Sequence, residues 1–301
     1  MERLKILIAG GSGFIGSRLV EKLYRYHDII VIDKKQPRYN SDVYEGITTL
    51  RLDINIKKNV DKFPRADIVY NFASPSSIMQ FNKENFNELA NSSFAGFLNM
   101  LEYSKINNVS KYIFPSSGTV YGSSESVTRK ELEPITIYGV MKLAHEKLAA
   151  LYKNSFDITG LRIFMGYGPG EEMKEHIASP AYLFLSDILK DKSPTVWGDG
   201  SQSRDLIFID DIIEVLEKSL KLTGFNIFDV GSGKQTSFNE LIRQINKVTN
   251  REIAPKFVEK PKTYLDHTVA DISYLRERFS FPLTTVEDGL QKFYYYLSNL
   301  N

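Results

Sequence analysis

A glycine-rich turn near the start of the chain constrains its fold more than any other feature. The apolar run that ends at Ala9 leads directly into Gly10-Gly11-Ser12-Gly13-Phe14-Ile15-Gly16. Glycine permits a tight turn, lets the backbone approach a pyrophosphate, and lets the next helix pack closely on the strand. The N-terminus of that helix then favours anions through its free N–H groups and its dipole. A strand, this turn and a helix from Phe14 to Tyr26 therefore predict a dinucleotide-binding unit.

Two glycine spacings overlap in this turn. Gly11-x-Gly13-x-x-Gly16 is the general dinucleotide pattern, and Gly10-x-x-Gly13-x-x-Gly16 is the spacing of short-chain dehydrogenases. Asp33 follows 20 residues after Gly13, at the end of the second predicted strand. A carboxylate there hydrogen-bonds the ribose of NAD and repels the 2′-phosphate of NADP. The pattern predicts NAD, whereas Lys34-Lys35 keeps NADP as an alternative, and a plain turn with a surface aspartate is the simplest alternative.

Short apolar runs alternate with longer helical patterns over the first half of the chain. The predicted strands are Ile6–Ala9, Ile29–Ile32, Ile68–Asn71, Tyr112–Phe114 and Ile158–Arg162, and the predicted helices are Phe14–Tyr26, Glu84–Asn107 and Tyr138–Lys153. This alternation predicts an α/β fold with a Rossmann-type, doubly wound parallel sheet.

Glycines and prolines interrupt the regular pattern after Arg162, which predicts a smaller C-terminal lobe that binds substrate. We expect residues 1–163 to form the NAD-binding domain, with about 206–230 returning to it through a late strand at Phe225–Val230. Residues 164–301 then form mainly the substrate-binding lobe.

Composition and charge exclude several classes of function. Lys plus Arg is 38 and Asp plus Glu is 37, with no long block of like charge, so we expect neither nucleic acid nor a membrane surface as a partner. The chain has no cysteine, and its 4 histidines show no metal-ligand spacing, so we expect no metal. His145 is predicted to be a solvated helix residue. No apolar run approaches a membrane span, which makes the cytoplasm the expected location.

Tyr138 and Lys142 are spaced i, i+4, so a helix places them on one face. Among 17 tyrosines, only Tyr138 has a lysine four residues later. The pKa of a free tyrosine is about 10, and a neighbouring ammonium is expected to lower it. Ser117 follows a predicted strand, where its hydroxyl can hold a reacting oxygen while Tyr138 transfers the proton. An amphipathic helix surface with a capped turn before it is the structural alternative.

Together these segments resemble the extended short-chain dehydrogenases, and within them the NAD-dependent nucleotide-sugar epimerase/dehydratase group. The segments that carry the resemblance are the Gly10-to-Gly16 turn, Phe114–Gly122, Tyr138-x-x-x-Lys142, Leu161–Phe164, Tyr167–Pro169, Trp197–Gly200 and Arg204-Asp205. They run from about residue 5 to residue 230 in the family's order, so the resemblance covers most of the chain.

The resemblance implies a role for each matching residue. Ser117, Tyr138 and Lys142 would be the catalytic trio, and the family commonly forms homodimers through the helices at 84–107 and 138–153. The cofactor-binding set would be Gly10, Gly13, Phe14, Ile15, Gly16, Asp33, Asp53, Ile54, Asn71, Ala73 and Asn91, with Tyr138 and Lys142. The substrate-binding set would be Ser76, Ser117, Met165 and Arg204, with the Arg204 guanidinium on the diphosphate.

The chain departs from the family pattern at the substrate site. Met165 stands where the family usually has an asparagine that touches the substrate, and no second arginine lies near Tyr264-Leu265-Asp266. Gly118 and Thr119 stand where the 4,6-dehydratases place an Asp-Glu pair. Met165 and the missing arginine leave the nucleotide and sugar open. Gly118 and Thr119 argue against dehydration.

The resemblance implies oxidation of a sugar hydroxyl to a 4-keto intermediate. A nucleotide-sugar 4-epimerase is the leading interpretation. A net 4-dehydrogenase or 4-ketoreductase, for example on a GDP- or CDP-linked hexose or heptose, is the alternative. A non-catalytic dinucleotide sensor is the remote alternative, and the presence of Tyr138 argues against it.

Overall fold

The computed structural model describes residues 3–36, 39, 43, 45–81, 84–122, 132–261 and 264–300. The described strands are β1 (Lys5–Ala9), β2 (Asp28–Asp33), β3 (Ile47–Arg51), β4 (Ile68–Asn71), β5 (Lys111–Ser117), β6 (Asp157–Ile163), β7 (Met165–Tyr167), β8 (Thr195–Trp197), β9 (Ser203–Arg204), β10 (Leu206–Phe208), β11 (Phe225–Val230), β12 (Thr236–Ser237) and β13 (Lys256–Val258). The described helices are α1 (Phe14–Leu23), α2 (Lys57–Val60), α3 (Phe86–Ile106), α4 (Ile137–Ala150), α5 (Pro180–Leu189), α6 (Ile209–Lys218), α7 (Phe238–Thr249), α8 (Ser273–Arg278) and α9 (Val286–Ser298).

Seven strands form the main sheet, in the order β11-β6-β5-β4-β1-β2-β3. The pairs β1–β2, β2–β3, β1–β4 and β4–β5 are all parallel. The strand order reverses between β1 and β4, and in open α/β sheets ligands bind at the carboxyl ends of strands at such a point. The prediction of a Rossmann-type, doubly wound sheet is confirmed.

The central strands of this sheet are buried because helices cover its faces. Ile6–Ala9 of β1 is fully buried, which explains its continuous rather than alternating apolar pattern. One face packs against α3, where Phe97, Met100 and Leu101 meet strand residues such as Tyr112. This burial of apolar surface is the main source of stability for the packing of α3 on the sheet.

Several elements differ from the sequence-based expectation. The helix predicted to reach Tyr26 ends at Leu23, and the helix predicted over Tyr138–Lys153 ends at Ala150. The strand β3 was not predicted, because it lies at the sheet edge and its Thr48, Thr49 and Arg51 interrupt the apolar pattern.

The prediction that His145 is solvated is wrong. His145 is only 2% exposed, and its ring stacks on the Phe97 ring with the ring centroids 4.1 Å apart. The Ser93 hydroxyl lies 3.4 Å from His145 Nε2. Burial lowers the pKa of His145 to about 3, so its imidazole is neutral at pH 7.

The chain divides into two compact units. The first comprises Met1–Val120, Pro134–Arg162 and Ile213–Phe228, and the second comprises Tyr121–Glu133, Ile163–Ile212 and Asp229–Asn301. In the second unit, short strands pair as β7–β10, β8–β13 and β9–β12. Helix α7 packs against α5 and α9, partly through an edge-to-face contact between Phe184 and Phe238. The assignment of cofactor binding to 1–163 with 206–230, and of substrate binding to 164–301, stays a prediction.

Across the described ranges of the chain, no helix has both the length and the apolar character that a membrane crossing requires.

Candidate active site

The glycine turn lies between β1 and α1, as the sequence predicts. Gly10 has φ +78°, and a Cβ at this position would lie 2.7 Å from the Ala73 backbone nitrogen. Gly13 is the N-cap of α1, so Phe14, Ile15 and Gly16 form the first helical turn. N–H groups in a first turn have no carbonyl one turn earlier, which makes this helix end suited to a phosphate. The turn therefore fits the pyrophosphate of a dinucleotide.

Asp33 lies beside this turn at the end of β2. Its two carboxylate oxygens accept hydrogen bonds from the backbone nitrogens of Ser12 and Lys35, each at 2.9 Å. Lys34 Nζ lies 3.6 Å from the Asp53 carboxylate. Lys34 was one of the two lysines that made NADP an alternative cofactor. In the structure this lysine forms an ion pair with Asp53. Fixed negative charge at Asp33 and Asp53 suits a ribose hydroxyl better than a phosphate.

The end of β4 contributes the residues opposite the glycine turn. The Asn71 side chain donates to the Tyr112 hydroxyl at 2.8 Å and accepts from the Ala73 backbone nitrogen at 3.2 Å. These contacts hold Ala73 against Gly10. Asn91 is exposed on α3, whereas Ser93 is the buried residue of this stretch.

Ser117, Tyr138 and Lys142 are brought together in the first unit. Ser117 ends β5, and Thr136 begins α4 as an N-cap that accepts from the Gly139 backbone nitrogen. Tyr138 and Lys142 lie one turn apart on this helix, with Lys142 Nζ 5.5 Å from the Tyr138 ring centroid. Ser117 forms a side-chain hydrogen bond with Tyr138. All three residues are buried.

Burial dominates the acid–base properties of this trio. It raises the pKa of Tyr138 to about 12, and the hydrogen bond from Ser117 acts in the opposite direction. Burial also lowers the pKa of Lys142 to about 7, because the charged amine loses its hydration. The predicted lowering of the Tyr138 pKa by Lys142 is therefore wrong for the polypeptide alone.

The Lys142 amine is held in place by an acceptor in the loop after β4 and by another in β5. Its Nζ donates to Ser74 Oγ at 2.6 Å and to the Pro115 carbonyl oxygen at 3.3 Å. These acceptors fix the amine at the carboxyl ends of β4 and β5. Ser74 was not among the residues predicted from the sequence, because its place beside Lys142 depends on a pairing across 68 positions of the chain.

Glu146 extends the Tyr138 and Lys142 face of α4 by one more turn. Its carboxylate accepts from Ser116 Oγ at 2.5 Å and from the Arg162 Nε and Nη2 atoms at 2.9 and 2.8 Å. This buried network joins α4 to β5 and β6 immediately beside Ser117. Glu146 was not among the residues predicted from the sequence. Its place could have been inferred from the spacing of four residues that continues from Tyr138 through Lys142 to Glu146.

The predicted substrate residues lie in different surroundings. Ser76, in the first unit, is exposed, and its backbone nitrogen donates to Gln80 Oε1 at 2.6 Å. Met165, in the second unit, is partly buried in β7, where it pairs with Leu206. Its thioether cannot replace the hydrogen bonds of an asparagine.

Arg204 is buried in the second unit among aromatic rings. Its guanidinium lies 5.4 Å from the Phe238 ring centroid and 5.1 Å from that of Tyr264, and donates to backbone oxygens of Ser203 and Asp266. Burial lowers the pKa of Arg204, although arginine remains charged in proteins. Lys260 Nζ lies 5.9 Å from the Tyr264 ring centroid and 2.5 Å from the Asp266 carboxylate.

Comparison with known proteins identifies the family. Residues 6–231 match the family described as NAD dependent epimerase/dehydratase. A putative UDP-glucose 4-epimerase of Methanocaldococcus jannaschii is 30% identical over 78% of this chain and 79% of its own length. A UDP-glucuronate 4-epimerase of Thermodesulfobacterium geofontis is 26% identical over 95% of this chain and 94% of its own length.

Solved structures show the same fold over the whole chain. A UDP-N-acetylglucosamine 4-epimerase from Methanobrevibacter ruminantium M1, in complex with UDP-N-acetylmuramic acid, has a TM-score of 0.92 at 26% identity and full coverage of both chains. A UDP-glucuronic acid 4-epimerase from Bacillus cereus, in complex with UDP-glucuronic acid and NAD, has a TM-score of 0.85 at 27% identity, with 99% of this chain and 100% of that one covered.

These findings confirm the predictions of NAD as cofactor and of an enzyme of the nucleotide-sugar epimerase type. The matched segment contains the glycine turn, Ser117, Tyr138 and Lys142, and it extends to the end of β11. The chain belongs to the NAD-dependent epimerase/dehydratase family.

Proposed function

We propose that this protein is an NAD-dependent 4-epimerase of a UDP-linked sugar. The observation that carries this proposal is the buried trio of Ser117, Tyr138 and Lys142. Ser117 ends β5, which belongs to the same sheet as β1, the strand that leads into the glycine turn. The relatives and solved structures named as UDP-sugar 4-epimerases support both the nucleotide and the carbon atom.

Each residue of the trio has a separate chemical role. The Tyr138 phenolate takes the proton from the C4 hydroxyl of the sugar and later returns it, while the Ser117 hydroxyl holds the reacting oxygen. Lys142 would hold a ribose of the bound cofactor. When bound, NAD would supply hydride transfer from the sugar and back to the opposite face of C4, which inverts that carbon.

The cofactor would be held by the glycine turn and the ends of β2 and β4. The first turn of α1 suits the pyrophosphate, and Asp33 suits the adenosine ribose. Asp53 and Ile54 are assigned to the adenine, and Asn71 with Ala73 to the wall of the site. Asn91, which is exposed on α3, completes the proposed set.

The residues after Ser117 favour epimerisation over dehydration. Loss of water across C5 and C6 needs a base for the C5 proton and an acid for the departing hydroxyl. Gly118 has no side chain, and the Thr119 hydroxyl neither takes nor gives a proton readily near neutral pH. The 4-keto intermediate is therefore reduced again rather than dehydrated.

The second unit would supply the substrate contacts. Arg204 is assigned to the diphosphate, where its planar guanidinium can bind two oxygens together. Met165 places an apolar atom where an asparagine would hydrogen-bond, which predicts an apolar contact with the substrate at this position. Ser76, in the first unit, is proposed to bind the sugar.

Homodimerisation is proposed through the outer faces of α3 and α4. Phe86 and Phe94 lie two helical turns apart on α3 and are 40% and 45% exposed, and Val140 on α4 is 47% exposed. Aromatic side chains on one helix face are typical of protein–protein interfaces. Sedimentation analysis of the purified protein tests this assembly.

We also propose a cytoplasmic location, which cell fractionation tests.

A panel of nucleotide sugars tests the proposed reaction. The purified protein with NAD is incubated separately with UDP-glucose, UDP-glucuronate, UDP-N-acetylglucosamine and GDP-mannose, and products are followed by proton NMR and mass spectrometry. We expect a C4 epimer of unchanged mass from a UDP-sugar, with no net accumulation of NADH.

Other products would contradict this proposal. A product that has lost two hydrogen atoms, with NADH accumulating, would indicate a net dehydrogenase, and a product that has lost water would indicate a dehydratase. Turnover of GDP-mannose alone would contradict the UDP assignment. GDP-mannose is included because a rice GDP-mannose 3,5-epimerase is 28% identical to this chain, over 98% of this chain and 82% of its own length.

A further inference from the structure

The Ser117 hydroxyl receives two hydrogen bonds from one residue. The backbone nitrogen of Thr119 lies 3.2 Å from Ser117 Oγ, and the Thr119 hydroxyl lies 3.0 Å from the same atom. Thr119 belongs to the short 3-10 turn Gly118–Tyr121 that follows β5. Both contacts are made over two positions of the chain, so they depend on the shape of this turn.

This turn is packed against the start of the catalytic helix. A Cβ at Gly139, the residue after Tyr138, would lie 2.6 Å from the Thr119 carbonyl oxygen. Only glycine allows such a close approach without a shift of the backbone. The position of Thr119 is therefore set relative to both Ser117 and Tyr138.

A hydroxyl group has two acceptor lone pairs and one hydrogen atom to donate. The two groups of Thr119 lie within hydrogen-bond distance of Ser117 Oγ as donors, which leaves the Ser117 hydrogen available for donation to its other partner, Tyr138. We propose that Thr119 is a positioning residue, whose hydroxyl orients the Ser117 hydrogen toward the side of the site where Tyr138 and the reacting sugar oxygen lie. Its contribution to turnover rests on the proposed function.

The orientation matters because Tyr138 must become an anion in a buried position. Burial raises the pKa of Tyr138 to about 12, and the Ser117 hydrogen bond opposes that effect. A hydrogen bond donated to a buried anion is stronger than one between neutral groups. Without Thr119 Oγ1, Ser117 can rotate its hydrogen away from Tyr138, and the phenolate loses stabilisation.

Three variants test this role. Thr119→Val removes the hydroxyl with little change of shape, Thr119→Ser restores it, and Thr159→Val is the matched control. The Thr159 hydroxyl is buried in β6 and makes no hydrogen bond within the described parts of the chain. We expect Thr119→Val to lower kcat about tenfold at pH 7, the scale of one hydrogen bond to a charged group, with KM and NAD affinity changed less than twofold.

The pH profile and a tyrosine signal distinguish positioning from packing. The midpoint of the rise of kcat with pH should move upward in Thr119→Val and return in Thr119→Ser. In protein labelled with ¹³C at tyrosine Cζ and containing NAD, the Tyr138 signal is identified by its loss in Tyr138→Phe. That signal should shift in Thr119→Val, and should stay near the wild-type position in Thr119→Ser and Thr159→Val.

An unchanged Tyr138 signal and pH profile in Thr119→Val would overturn the role of Thr119. An increase of KM alone would also overturn it, because it would place Thr119 in direct contact with the substrate. A shifted Tyr138 signal in a protein that epimerises none of the sugars would support the positioning role and contradict the proposed function instead.

Discussion

Arg162 and Glu146 form a two-point ion pair in the interior of the first unit, with N–O distances of 2.9 and 2.8 Å. Arg162 is 6% exposed and Glu146 is 3% exposed. A buried ion pair contributes little net stability compared with apolar residues, but loss of one partner leaves the other charge uncompensated. The pair therefore fixes α4 relative to β6 near the catalytic trio.

Replacement of one partner should be much more harmful to stability than replacement of both. We expect Glu146→Leu to lower the free energy of unfolding by about 3–5 kcal/mol, because the Arg162 charge stays buried without a carboxylate. Glu146→Leu combined with Arg162→Leu should recover most of that loss. Urea denaturation measures both, and equal destabilisation of the single and double variants would show that the charge is not the cause.

Tyr138→Phe tests the proposed proton acceptor. The ring and its packing are kept, so we expect a folded protein with unchanged NAD affinity. Activity should fall by about 10²-fold or more, the usual scale of general acid–base catalysis. Steady-state kinetics on the epimerised sugar provides the measurement, and near-normal turnover would remove Tyr138 from the mechanism.

Cofactor preference should follow the carboxylate of Asp33. We expect calorimetry to give at least tenfold tighter binding of NAD than of NADP, because the 2′-phosphate would approach a fixed negative charge. Asp33→Asn should narrow the difference by improving NADP binding. Equal affinities of the wild-type protein for the two cofactors would contradict the assignment.

His145 should make the protein sensitive to acid. Its folded-state pKa of about 3 is below the ordinary value of 6.5, so the unfolded chain binds the proton first. The stability that the neutral imidazole provides is therefore present above pH 6.5 and is lost as the pH falls toward 3, by about 1.4 kcal/mol per pH unit for this one group.

His145→Gln provides the comparison, because glutamine stays neutral and can still meet Ser93. We expect the difference in unfolding free energy between wild type and variant to decrease with this slope between pH 6 and pH 4. Urea denaturation at several pH values measures it. Parallel pH dependences of the two proteins would show that His145 is protonated equally in the folded and unfolded states.

Local sequence patterns were sufficient for much of the first unit. The strand, glycine turn and helix at residues 5–23 follow from apolar periodicity and the conformational freedom of glycine, which act over a few neighbouring residues. The i, i+4 spacing placed Tyr138 and Lys142 on one helix face for the same reason. Phe225–Val230 was predicted with its observed bounds because apolar residues occupy its two ends and most of the positions between them.

Only the tertiary structure decided what surrounds those residues. The pKa directions of Tyr138 and Lys142 follow from burial, which depends on the elements that pack around α4 rather than on the spacing within it. The same holds for His145, whose sequence neighbours gave no sign of the Phe97 ring that covers it. Desolvation is set by contacts between distant parts of the chain, and a local pattern carries no information about such contacts.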